Sequence, residues 1–245
     1  MKNERGIFLG KENTDKTRVL EFLDEFKDPN YLHQQGIMPG MFYLFLVEPK
    51  TKKEVKSINI DFKEFAIYPL DLNLFMEDIG NGFKFKFYDN NKLELCEGVI
   101  EYGSNSSKNN NKKFRKVYEI GGRLQEEFRN NRADLFREED AAMYVNQSMA
   151  FDNDFINNPS LNIGNHEKLD KRRFRIETSY LDNNEVISEG HANVTIVPKK
   201  VLNKTLERLL SKSPCVYHDL KAMVCSGLLD AQDSVKNLDI KKELI

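Results

Sequence analysis

Hydrophobic and polar residues alternate along two stretches of the chain that share one plan. Residues 83–102 run from an alternation of Phe and Lys through Asp-Asn-Asn into a second alternating segment, and residues 174–197 have a similar layout. A period of two is typical of a half-buried strand, and Asp, Asn and Gly tolerate the backbone angles of a tight reversal. Each stretch therefore predicts a β-hairpin.

The second strand of each predicted hairpin contains a Glu-Gly pair, at 97–98 and at 189–190. The distance from the preceding Asn-Asn pair differs by one residue between the two copies. Two interpretations stay open. Either the chain is an α+β protein of two similar halves, each an antiparallel sheet with helix, or two unrelated hairpins occur in an Asn-rich sequence.

The segments before the first hairpin predict a helix followed by strands. An apolar stripe predicts a short helix that ends before Pro29, because the residue before proline avoids helical angles. The apolar run 41–47 fits a buried strand or a buried helix equally well. Residues 55–67 and 70–76 predict two strands. The apolar stripe of the short helix before Pro29 consists of Val19, Leu20, Leu23 and Phe26.

The pattern in the second half predicts more helix than strand. Residues 114–128 favour a helix, and residues 137–155 predict another because apolar residues recur there every four positions. Residues 157–170 predict a polar loop. From residue 201 onward, an apolar stripe and a Ser-Pro start signal predict helices at the C terminus. The apolar repeat in the predicted helix at 137–155 is formed by Ala141, Val145 and Met149.

The Asn- and Lys-rich segment 104–113 divides the chain. Its low complexity predicts an exposed linker or a long loop. We therefore expect an N-terminal α+β half at 1–103 and a C-terminal α+β half at 114–200, followed by helices at 201–245. Such terminal helices pack on their own domain or between subunits, and we expect a homo-oligomer.

Composition places the chain among globular proteins. Its 245 residues are 40% hydrophobic and 31% charged, which allows a core beneath a charged surface. A net charge of −2 gives no general attraction to nucleic acid or to anionic membranes. No apolar run approaches the roughly 20 residues of a membrane span, and the first residues do not resemble a secretory signal. Three widely spaced cysteines and four scattered histidines predict a cytoplasmic protein without metal or cofactor.

A candidate site lies at residues 33–40, which read His-Gln-Gln-Gly-Ile-Met-Pro-Gly. Here the sequence resembles the hot-dog fold, and within it the β-hydroxyacyl-thioester dehydratases. In that family a catalytic His precedes a Gly, and Met-Pro-Gly opens the central helix. The family order continues with Ile-Asp-Phe at 60–62, Tyr-Pro-Leu-Asp at 68–71 and the first hairpin. This chain spaces His, Gly and Pro more tightly, and Pro49 limits the helix to about two turns.

The resemblance implies a double hot-dog chain that acts on acyl thioesters of coenzyme A or an acyl carrier protein, as a dehydratase or a thioesterase. His33 would be the catalytic base, a role that imidazole fills near neutral pH. Gly36, Met38, Pro39 and Gly40 would bind the substrate, with the Gly40 amide directed at the thioester carbonyl. The second half would supply an acid, for which the candidates are Glu138, Glu139, Asp140 and Asp152.

Other functions fit the residues as well. His33 could be a loop histidine bonded to the backbone, and the chain could be a non-catalytic structural or accessory protein of viral or phage type. A nucleic-acid-binding module is a further alternative, because the basic runs 108–116 and 168–175 have aromatic residues nearby. The acidic residues around these runs and the net charge favour a solvated surface instead. Whether the protein is an enzyme stays open at this level.

Overall fold

Nine antiparallel strands form one continuous sheet in the computed structural model, which describes residues 7–28, 30–34, 36–106, 110–131, 141–152, 158–198, 200–201 and 203–204. The first half contains β1 (Ile7–Asn13), α1 (Lys16–Glu25), α2 (Tyr31–Gln34), α3 (Gly40–Val47), a 3₁₀ turn (Glu48–Lys50), β2 (Lys53–Phe62), β3 (Asp71–Asp78), β4 (Gly82–Tyr88) and β5 (Glu94–Ser106). The second contains α4 (Asn110–Asn131), β6 (Ala141–Phe151), β7 (Ser160–Lys168), β8 (Arg173–Asp182) and β9 (Glu185–Val197).

The strand order is β1-β3-β4-β5-β2-β6-β9-β8-β7. Read outward from the central pair, the order is β2, β5, β4, β3 on one side and β6, β9, β8, β7 on the other, so each central strand is followed by a hairpin and one further strand. On the first side β1 adds a fifth strand at the edge. Both hairpins predicted from the alternation are confirmed. The second turn uses the expected residues, because Asn183 and Asn184 have positive φ angles of 51° and 67°. In the first turn the positive φ, 65°, occurs instead at Lys92, the residue after Asn90 and Asn91.

The central strands pair in a register that is symmetric about Asn59 and Ser148. Ile58 lies opposite Met149, and Ile60 lies opposite Gln147. On the flanking strands, Ile60 pairs with Gly98 of β5, and Met149 pairs with Gly190 of β9. The Glu-Gly pairs noted in the sequence therefore occupy equivalent places on the two sides of the sheet.

Helices α1, α3 and α4 pack together against the sheet and enclose an aromatic core. Six of the eight residues of α3 are buried, so the ambiguous apolar run is a helix surrounded by core on all sides. Rings of α1, α3 and α4 contact one another at centroid distances of 4.9–6.2 Å. These rings belong to Phe22, Phe26, Phe42, Phe45, Phe114 and Tyr118. The helix predicted at 114–128 is confirmed within α4.

Two secondary-structure predictions in the second half are wrong. The segment predicted as a helix at 137–155 contains β6, because residues four apart lie on one face of a strand as well as of a helix. A bulge between Tyr144 and Asn146 then shifts the faces, leaving Val145 exposed and Met149 buried. The polar loop predicted at 157–170 contains β7, whose polar sequence suits an edge strand.

Regular structure also enters the segment predicted as an exposed linker at 104–113. β5 continues to Ser106, and α4 begins at Asn110, whose side chain accepts from the Val55 N–H at 2.8 Å and donates to the Lys53 carbonyl at 2.6 Å. Lys113 is buried against the same strand. Asn and Lys side chains of this segment therefore form hydrogen bonds with the backbone of β2. The division into two halves at this segment stays a prediction.

Most of the predicted C-terminal helices at 201–245 lie outside the described residues, and the homo-oligomer stays a prediction. Across the ranges that the structure describes, none of the helices has the length and apolarity needed to cross a membrane.

Candidate functional site

A cavity of about 300 Å³ lies where β2 and β6 separate. Residues 57–61 of β2 pair with residues 146–150 of β6. The earlier residues of β6, from Ala141 onward, pair with β9 but not with β2. The cavity is lined by both halves of the chain. The first half contributes His33, Met38 and Gly40, and the second contributes Ala142, Tyr144 and Thr195.

His33 lies on the short helix α2 and is only 8% exposed. Its Nδ1 is 3.0 Å from the carbonyl oxygen of Ile37. Because a carbonyl oxygen only accepts, Nδ1 carries a hydrogen in this contact, and in the neutral ring Nε2 keeps the lone pair. The backbone carbonyl of His33 accepts from the Tyr68 hydroxyl, which further holds the segment in place.

Asp28 is the carboxylate beside His33, at 3.6 Å between Oδ2 and Nε2. Its other oxygen, Oδ1, accepts from the Asn30 N–H at 2.9 Å, so the carboxylate is oriented by the backbone. The sequence analysis used Asp28 only as the residue before Pro29, where the first helix ends, and did not identify this contact. The available signal in the sequence was an acidic residue five positions before the candidate histidine.

The carboxylate beside His33 therefore comes from the first half, and the acid that the resemblance implies from the second half stays a prediction. Asp152, one of the predicted acids, is exposed. It lies seven residues beyond Val145 of the cavity lining, which is roughly 23 Å along an extended chain. Glu138, Glu139 and Asp140 fall outside the described residues. On α4, a Cβ added at Gly121 would stand 3.8 Å from Asp28 Oδ2. Helix α4 thus lies beside the Asp28–His33 pair at Gly121, where no side chain stands between them.

The N terminus of α3 opens at the cavity. Met38 donates its N–H to the carbonyl of Ala66 at 2.8 Å, and Pro39 is the N-cap of the helix. The first N–H groups of a helix have no intrahelical acceptor and carry a partial positive charge. Gly40 lies beside Phe62, and a Cβ there would be 2.8 Å from the ring. A side chain at position 40 would therefore require the Phe62 ring to move.

The structure brings three of the five predicted site residues to the cavity, namely His33, Met38 and Gly40. Gly36 and Pro39 are not among the lining residues. Gly36 instead forms the turn behind His33, with a φ of 100° and an N–H donated to the His33 carbonyl at 3.2 Å. Pro39 sets the direction in which α3 starts.

The remaining ionisable groups of the lining differ in their surroundings. Burial raises the pKa of the Tyr43 and Tyr144 phenols, so both stay neutral near pH 7. Lys63 and Glu64 are exposed at the mouth, and a hydrogen bond to Glu97 raises the pKa of Lys63. Within the described ranges, no three His, Cys, Asp or Glu side chains converge to hold a metal ion.

No family model matches the sequence, and no curated protein matches it. Among solved structures, the dehydratase domain of PpsC from Mycobacterium tuberculosis, in complex with C12:1-CoA, has a TM-score of 0.51 at 6% identity and covers 78% of this chain and 98% of its own. A TesB protein of Mycobacterium avium subspecies paratuberculosis has a TM-score of 0.49 at 8% identity, covering 74% and 100%. The likeness to PpsC shows a hot-dog fold, which confirms the resemblance at the level of fold alone.

Proposed function

We propose that the protein processes acyl thioesters in the cavity between β2 and β6, with His33 as the base in the dehydration of a β-hydroxyacyl thioester. The observation that carries the proposal is the His33–Asp28 pair at a cavity that also receives the N terminus of α3. An oriented imidazole, a carboxylate and a helix N terminus are the groups that proton abstraction next to a carbonyl requires.

A double hot-dog arrangement is part of the proposal. It is supported by the strand order, which repeats outward from the central pair, and by the equivalent places of Gly98 and Gly190 beside the two central strands. The two helical segments differ, since α3 has eight residues and α4 has 22. In this arrangement the first half supplies the ionisable pair, and the second half closes the cavity.

The chemistry follows from these positions. The substrate carbonyl would lie at the N terminus of α3, where the Gly40 N–H stabilises the negative charge that develops on oxygen. His33 Nε2 would take the proton from the α-carbon, and Asp28 would stabilise the imidazolium that forms. The same proton would then pass to the departing β-hydroxyl, so that water and an enoyl thioester leave without any other reactant.

Turnover of a short β-hydroxyacyl pantetheine thioester tests the proposal. Formation of an enoyl thioester without free thiol is the expected result. Release of free thiol would instead indicate a thioesterase at the same site, while the absence of both reactions across a series of thioesters would overturn the proposal. The last outcome favours the non-catalytic alternative.

Replacement of Asp28 by Asn is expected to lower kcat by about tenfold or more, because the amide keeps the shape but not the charge beside the imidazolium. The Asn30 N–H can still donate to the amide oxygen, so the melting temperature is expected to change little. Steady-state kinetics and thermal unfolding measure both effects. Asp24→Asn, an exposed carboxylate on the same segment, is the matched control. Equal losses in the two variants would contradict a specific role for Asp28.

Phe62→Ala is expected to move the preferred substrate toward longer acyl chains. The cavity is at the lower end of the about 300–1,000 Å³ of small-molecule sites, and the Phe62 ring lines it beside Gly40. Removal of the ring extends the apolar space, so kcat/KM across a series of chain lengths should peak at a longer chain. Phe45→Ala removes a ring from the helical layer without touching the lining and should leave the optimum in place.

A further inference from the structure

The turn between β7 and β8 is the most basic part of the described surface near the cavity. Five basic residues and one acidic residue occur between positions 168 and 175, in a chain whose net charge is −2. Lys168, Lys171, Arg172, Arg173 and Arg175 are all exposed. The sequence alone favoured a solvated face here, but the fold gives this turn a particular neighbour.

That neighbour is the end of β9, which lines the cavity. The Ile196 N–H donates to the Arg172 carbonyl at 2.9 Å, and Arg173 lies directly opposite Thr195. Side chains opposite each other in an antiparallel pair leave the sheet on the same face, with Cβ atoms about 4.5–5.5 Å apart. Because Thr195 and Val197 belong to the lining, Arg173 leaves the sheet beside the mouth of the cavity.

The turn is held in shape by Asp170. Its carboxylate accepts from the backbone N–H groups of Arg172 and Arg173, both at 2.9 Å, and from Nε of Arg173. These hydrogen bonds lower the pKa of Asp170 to about 2, so the carboxylate stays ionised at any working pH. The Arg173 guanidinium is thus anchored through Nε while its side chain remains 59% exposed.

Arg175 is oriented in a similar way on the same face. Its Nη2 donates to His191 Nδ1 at 3.2 Å, and burial together with the arginine charge lowers the pKa of His191. A neutral imidazole is therefore the acceptor. The opposite side of the mouth has a different character, since Glu64 is exposed there and Lys63 is bonded to Glu97 at 2.7 Å. Positive charge thus borders the cavity mainly on the β8–β9 side.

We propose that this basic rim, formed by Arg173 and Arg175, binds the phosphate of the phosphopantetheine arm that carries the acyl thioester. The inference rests on the proposed function and assigns the end of the substrate that lies outside the cavity. Coenzyme A and an acyl carrier protein share this phosphate ester. Guanidinium groups suit it, because their planar arrangement of N–H donors matches two phosphate oxygens.

Calorimetric binding of 4′-phosphopantetheine and of pantetheine to the full chain tests the inference without any turnover. We expect the phosphorylated compound to bind about tenfold more tightly, the effect of roughly one charge-assisted contact. Arg173→Ala/Arg175→Ala should remove most of this difference, and 1 M salt should reduce it by screening. Arg175→Ala alone keeps the Arg173–Asp170 hydrogen bond and serves if the first variant does not fold.

The matched control is Lys52→Ala/Lys56→Ala, which removes the same charge from exposed positions at the other end of β2, six or more residues from Phe62. It should keep the preference for phosphopantetheine. Equal affinities of the wild-type protein for the two compounds, no binding of either, or an equal loss in the control would each overturn the inference.

A third ligand distinguishes the sources of the arm. Coenzyme A binding more tightly than phosphopantetheine would identify a free nucleotide thioester as the carrier, since its additional phosphates would then contribute. Equal affinities would identify an arm attached to a carrier protein. Either result supports the phosphate site. Selective phosphopantetheine binding without turnover of any thioester would overturn only the proposed reaction, whereas turnover without phosphate preference would overturn only the rim.

Discussion

His33→Ala is expected to lower turnover of a β-hydroxyacyl thioester by at least about a hundredfold, because a positioned general base contributes about 10²–10⁴ in rate. The protein should remain folded, since the substitution removes one hydrogen bond, from Nδ1 to the Ile37 carbonyl, worth about 1 kcal/mol. Single-turnover kinetics and thermal unfolding of the same preparation measure the two effects separately.

Two further variants separate the chemical role of His33 from its structural one. His33→Asn offers an amide N–H to the Ile37 carbonyl but no base, so it should recover stability without recovering turnover. His166→Ala removes an exposed histidine from the edge strand β7 and should leave both quantities unchanged. Unchanged turnover in His33→Ala would remove this residue from the mechanism and leave it as a buried loop histidine.

Gly190→Ala is expected to lower the free energy of unfolding by about 3 kcal/mol, at the upper end of the cost of overpacking. A Cβ at this position would stand 2.0 Å from the Ser148 carbonyl oxygen and 2.9 Å from the Met149 Cα. Both atoms belong to the backbone of β6, which pairs with β2 and with β9 and cannot move without disturbing the centre of the sheet.

Urea unfolding of the Gly190 variant tests this expectation, with Glu189→Ala as the control because Glu189 is exposed next to it. The control should change the free energy of unfolding by less than about 0.5 kcal/mol. A similar small change in Gly190→Ala would mean that β6 and β9 do not approach as closely as the structure has them. A loss of catalytic activity in step with the loss of stability would connect this strand pair to the cavity at its other end.

The hairpins and the buried helix illustrate what local pattern predicts well. Alternating Phe and Lys residues specify a strand with one covered face, and Asp89 then accepts from two backbone N–H groups of its own turn, at 2.8 Å each. These interactions involve neighbours in the chain, so they are visible in the sequence. The apolar run in α3 was ambiguous because burial on all sides removes the periodicity that distinguishes a helix from a strand.

The candidate site was predicted in part. A short motif that resembles a known family located His33, Met38 and Gly40 at the cavity, but it did not locate Asp28, which no motif residue marks. Asp28 is recognisable only when the turn between α1 and α2 brings its carboxylate to the imidazole. The basic turn at 168–175 was visible as a charge run, yet its place beside β9 depends on the strand register.

By itself, the sequence determined the α+β class, the two hairpins and the group of residues around His33, because each depends on contacts within a few positions of the chain. Only the tertiary structure decided that β6 is a strand, that β2 and β6 pair and then separate to leave a cavity, and that Asp28 faces His33. The strand features depend on pairing between residues far apart in the chain, and neither periodicity nor spacing encodes which distant strand will pair with a given one. Asp28 and His33 are only five residues apart, but periodicity does not set the direction in which the irregular turn between α1 and α2 sends their side chains.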